Sequence, residues 1–61
     1  MTPQDITSTL NQIVSYRNIL YKFVSAIIKK NDNGEIYYLA ELKDLNANSI
    51  CIVRLEDVNN G

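Results

Sequence analysis

PQDITSTLNQIVSYRNILYKFVSAIIKK, Pro3 to Lys30, is the stretch around which the rest of the chain must arrange itself. Gln4, Ser8, Asn11, Ser15, Asn18, Lys22, Ser25 and Lys29 recur at alternating steps of four and three, forming a polar stripe. Opposite that stripe lie Ile6, Leu10, Ile13, Leu20, Val24 and Ile27, with Arg17 in the same row. Val14, Tyr21 and Ile28 flank the row on one side, Tyr16 and Phe23 on the other. At helical spacing these rows span an apolar arc of about 160°. The pattern predicts one amphipathic helix over about residues 3–30. Such an arc is broader than a two-helix coiled-coil seam, so the helix is expected to meet at least two neighbours.

The predicted ends agree with that reading. Thr2 offers an N-cap hydroxyl, Pro3 suits the first helical position, and Asp5 places an acid in the first turn, where the helix dipole favours it. Lys29 and Lys30 stand at the other end, followed by Asn31-Asp32-Asn33-Gly34, four residues tolerant of turn geometry.

Beyond the turn, Glu35–Lys43 and Ser49–Glu56 read as two strands joined by the loop Asp44-Leu45-Asn46-Ala47-Asn48, a hairpin over about residues 35–57. Ile36, Tyr38, Ala40 and Leu42 share one face of the first strand; Tyr37, Leu39, Glu41 and Lys43 share the other. In the second strand Cys51, Val53 and Leu55 oppose Ile50, Ile52 and Arg54, and neither strand has a clean polar face. Asn59-Asn60-Gly61 is expected to fray. The fold expected is therefore α+β: a long N-terminal amphipathic helix followed by a β-hairpin, in a single domain covering 1–61.

The hairpin, Tyr37-Tyr38-Leu39-Ala40-Glu41-Leu42 through Ile52-Val53-Arg54-Leu55-Glu56-Asp57, resembles the central hairpin of Tudor and other SH3-like barrels over less than half of the chain. The remaining barrel strands have no counterpart beside a helix of this length, so the expected fold does not follow the resemblance.

Size then argues for company. A domain of 61 residues buries only about 60% of the surface its unfolded chain exposes, and usually needs disulfides, metal or oligomerisation. Cys51 is the only cysteine and histidine is absent, which excludes an internal disulfide and a structural zinc cage. Homo-oligomerisation through the helix face remains, with interface residues Ile6, Leu10, Ile13, Tyr16, Arg17, Leu20, Val24 and Ile27; hairpins could also pair into a shared four-stranded sheet. The halves carry opposite charge: Arg17, Lys22, Lys29 and Lys30 outnumber Asp5 before residue 31, whereas six acids outnumber Lys43 and Arg54 after it. Such asymmetry orients association.

The chemistry legible in the residues is sparse. Without histidine, and with carboxylates scattered over turns and strand ends, no catalytic set is expected. No cofactor or metal is expected either. Cys51 reads as a small buried hydrophobe. Arg17, within the apolar row, either snorkels to water, pairs with Glu41, Glu35 or an acid of another subunit to set register, or contacts a phosphate. Tyr37 and Leu39 form a candidate partner patch. A pI near 5.0 lacks the basic stripe of a nucleic-acid binder. No segment reads as a signal peptide or a membrane span, so the expected location is cytoplasmic; the Asn-, Ile-, Lys- and Tyr-rich composition suits a bacterial or phage gene. The expected function is a non-enzymatic oligomeric adaptor or regulator that binds another protein. Alternatives are an oligomer holding an anionic or nucleotide-like ligand between subunits through Arg17 and Arg54, and a structural subunit of a larger assembly.

Overall fold

The computed structural model describes residues 1–60 and overturns the expected helix. Pro3–Asp5 forms a 3-10 turn that runs into one turn of α-helix, α1 (Ile6–Thr9). Five antiparallel strands follow: β1 (Ile13–Tyr16), β2 (Ile19–Lys30), β3 (Ile36–Asp44), β4 (Ile50–Arg54) and β5 (Asn59–Asn60). They form one sheet in the order β4-β3-β2-β1-β5. The first four make a meander. A 3-10 turn at Leu55–Asp57 then returns the chain so that β5 pairs with β1, Asn60 opposite Val14.

The reason lies in side-chain type and in three backbone positions. Ile13, Val14, Tyr16, Ile19, Tyr21, Phe23, Val24, Ile27 and Ile28 are β-branched or aromatic. Such residues lose rotamer freedom against a helical turn but fit a pleated sheet. Asn11, Arg17 and Asn18 have φ of 68°, 52° and 65°, in the left-handed region that a right-handed helix cannot include. Arg17 and Asn18 form the two-residue loop between β1 and β2, with Tyr16 opposite Ile19. Positive φ at both central residues is the signature of a type I′ hairpin turn.

The α+β expectation is thus corrected to a mostly antiparallel sheet with a seven-residue helical segment at its start. Oligomerisation through a long helix face is corrected with it, since α1 is four residues long. The predicted hairpin arms are β3 and β4, but they are two strands of five, because Lys22–Lys30 pairs along β3 as well. Asn59 and Asn60, expected to fray, are paired; Gly61 lies outside the described residues. The long helix against which the SH3-like resemblance was weighed is absent, its residues forming β1 and β2.

One face of the sheet encloses the core. Val14, Phe23, Ala40, Leu42, Leu55 and Val58 are buried together, with Met1, Ile6, Leu10, Tyr16, Tyr21, Ala26, Tyr38, Cys51 and Val53 packed against them. The pairs Val14–Tyr21, Phe23–Leu42, Ala26–Ala40, Ala40–Val53 and Leu42–Cys51 carry this inner face across the strands. At Val24 the register slips, Phe23 facing Leu42 and Ser25 facing Glu41. This bulge adds local twist. Beside it, Asn11 N–H donates to the Phe23 carbonyl (2.8 Å) and Phe23 N–H to the Gln12 carbonyl (3.0 Å). The helical segment thereby closes over the inner face.

Candidate interaction surface

The opposite, outer face follows from the same register. Rows run Arg54–Leu39–Ile27, Ile52–Glu41–Ser25 and Ile50–Lys43–Lys22–Ile13 across the strands, with Leu20 opposite Ser15. Four isoleucines and two leucines thus ring a polar centre. Ile13, Leu20, Ile50 and Ile52 are 44–54% exposed, values that leave about half of each side chain uncovered by the described residues. Ile27 and Leu39, in the middle, are half-buried.

At the centre the Ser25 hydroxyl donates to Glu41 Oε1 at 2.6 Å, holding the carboxylate against the sheet. Lys22 and Lys43 stand directly opposite each other and remain exposed, an arrangement that like-charge repulsion disfavours unless water or an acid screens it. At the edge, the Arg54 guanidinium lies 4.7 Å from the Tyr37 ring centre and 3.5 Å from Glu56 Oε1. A cleft of about 300 Å³ opens beside them, lined by Met1, Pro3, Ile36, Tyr38 and Leu55 among others.

The residues expected at a helix interface are redistributed. Ile13, Leu20 and Ile27 come together on the outer face, where Tyr37 and Leu39 also lie. Ile6, Leu10 and Tyr16 instead pack against the core. Val24 is the half-buried residue of the bulge. Arg17 sits in the β1–β2 turn, its guanidinium 5.2 Å from the Tyr16 ring centre, while Glu41 takes Ser25 instead. Arg54, eight β2 residues farther along the sheet by way of Ile27, does not converge with Arg17 in one protomer. Ile50 and Ile52 complete the face and were not singled out from sequence, although the alternation of Ile50, Ile52 and Arg54 against Cys51 and Val53 carries the signal.

Two ionisable groups are perturbed. Thr2 holds the Asp5 carboxyl below its ordinary range, through its backbone N–H (3.1 Å) and its hydroxyl (3.0 Å) to Oδ2. Tyr21 is pushed above the usual phenol value, first by desolvation and then by electrostatic interaction with Cys51 and Asp44. Neither makes an acid–base pair across a cavity. Among the described residues no cluster of His, Cys, Asp or Glu could hold a metal ion, and no helix is long and apolar enough to cross a membrane. Comparison with protein-family models, with curated proteins and with solved structures returns no match.

Proposed function

We propose that this chain is a small non-enzymatic adaptor or regulatory protein of the cytoplasm, self-associating and acting by binding another protein through the outer face of its sheet. One observation carries the reading: Ile13, Leu20, Ile50 and Ile52, about half exposed among the described residues, share one sheet face with the half-buried Ile27 and Leu39. Exposed apolar side chains gathered around polar residues on one face are the composition of contact sites on soluble proteins. Lys22, Lys43 and Glu41 set among these residues would orient the partner and reject mismatched charges. Immobilised protein should retain from its own cell extract a protein that rebinds in purified form, and Ile13→Asp/Leu20→Asp should lose it. Equal retention by both forms would remove the outer face from the proposal.

A second reading rests on the cleft beside Arg54. A small anionic ligand placed there would meet the Arg54 guanidinium over the Tyr37 ring and would have to displace Glu56, which lines the same cleft 3.5 Å from it. It predicts a rise in melting temperature with a nucleotide such as ATP in the native protein, absent in Arg54→Ala.

A further inference from the structure

We infer that the protein dimerises by antiparallel pairing of β4 with β4 of a second copy, about a two-fold axis at Ile52. The inference rests on the self-association half of the proposed function and assigns it a surface and a register.

The hydrogen-bond parity of β4 is determined by its hairpin. Asp44 N–H donates to the Ser49 carbonyl at 3.0 Å, so Ser49 turns its backbone groups toward β3. The ladder continues with Lys43 opposite Ile50, Leu42 opposite Cys51 and Ala40 opposite Val53. Backbone groups alternate sides along a strand. Cys51 and Val53 therefore bond to β3, whereas Ile50, Ile52 and Arg54 direct their N–H and C=O groups to the open edge. Strand order leaves β4 outermost.

Apart from one charge, Arg54, this edge lacks the devices that keep edges apart. It has no proline, no bulge and no inward-pointing charge, and two of its five side chains are half-exposed isoleucines. Its pattern is also self-complementary. A two-fold at Ile52 sets Ile52 against its copy and Ile50 against the copy's Arg54, so every edge-facing N–H and C=O of the strand finds a partner. Cys51 and Val53 then meet on the inner face, and the two apolar outer faces become continuous.

Charge selects the direction. Arg54 is the strand's only charged residue. Antiparallel pairing keeps its two copies about 14 Å apart, at four residues of strand rise, beyond the screening length of roughly 8 Å at physiological salt. Parallel pairing would set them side by side. The opposite edge is a poorer template, because β5 has only two residues, Asn59 and Asn60. Isologous closure between two five-residue edges also leaves no free β4 edge for further growth.

Sedimentation at tens of micromolar should give twice the 7.0 kDa chain mass. In a Cys51→Ser background, Ile52→Cys should be captured as a dimer by a short thiol-to-thiol cross-linker at least tenfold faster than Ile50→Cys, which faces Arg54 instead. Ile52→Pro removes only an edge-facing N–H, a position where edge strands tolerate proline; it should keep its strand-type circular dichroism and sediment as a monomer. Ile52→Lys provides the same test should the proline variant misfold. A wild-type monomer at these concentrations overturns both this pairing and the self-association it rests on. A dimer with equal capture at positions 50 and 52, or an assembly larger than two, overturns the pairing while self-association stands.

Discussion

Arg17 and Asn18 decide more than any side chain of the core, because two successive left-handed residues reverse the chain where a helix would have continued. Asparagine tolerates that conformation through its short polar side chain, whereas a β-branched residue does not. Asn18→Val is expected to cost about 1–2 kcal/mol in chemical denaturation, with Asn18→Gly neutral or stabilising. Two titrations also belong to this scale. A lowered Asp5 pKa means that its contribution is present above the ordinary carboxylate value of 3.8 and is lost as pH falls through the depressed folded value. Asp5→Asn should therefore flatten the acid limb of the stability curve. A raised Tyr21 pKa means that the folded state holds the neutral phenol longer than the unfolded state does. Its contribution is fully present below 10.0 and is lost as pH rises through the folded value. Ultraviolet titration should show a late tyrosine component that is missing in Tyr21→Phe.

At the scale of elements, a strand pair here imitates a helix. The inner face takes Val14, Tyr16, Tyr21, Phe23, Ala26 and Ile28; the outer face takes Ile13, Ser15, Leu20, Lys22, Ser25 and Ile27. Within strands the step is two, but the two-residue turn at 17–18 and the bulge at Val24 reset the alternation. Positions 14, 21 and 28 therefore match, as do 13, 20 and 27. Seven-residue recurrence is also two helical turns, so periodicity could not separate the two; composition and the Arg17-Asn18 pair could. Residues 36–42 carry no turn or bulge, and there the plain alternation put Tyr38, Ala40 and Leu42 on one shared face, as the ladder has them; that this face is the inner one came from the structure. The β2–β3 turn can be tested directly. Gly34 has φ of 82°, and a Cβ placed on it would meet only the Lys30 side chain, at 3.8 Å. Gly34→Ala should thus cost about 1 kcal/mol through backbone strain alone. In β4, hydrogen exchange at concentrations where the protein is monomeric should be slow at Cys51 and Val53 and fast at Ile50 and Ile52.

The whole molecule lives on a small margin. A domain of this length has a total stability of roughly 3–9 kcal/mol, while emptying the Phe23 site removes about 3–5 kcal/mol. Phe23→Ala should therefore remove a third or more of the stability and lower the melting temperature steeply, whereas Ile13→Asp and Leu20→Asp should leave it nearly unmoved. Composition and alternation by themselves determined the strand segments after residue 35, the turn at Asn31–Gly34 and the absence of a histidine-based acid–base pair. They named Ile13, Leu20, Ile27 and Leu39 as apolar positions needing cover. That these side chains share one sheet face with Ile50 and Ile52, while Ile6, Leu10 and Tyr16 close the core behind it, was decided only by the tertiary structure. The reason is physical: a face is a product of strand register, and register here depends on one turn, one bulge and the return of β5 to β1, contacts between residues far apart in the chain.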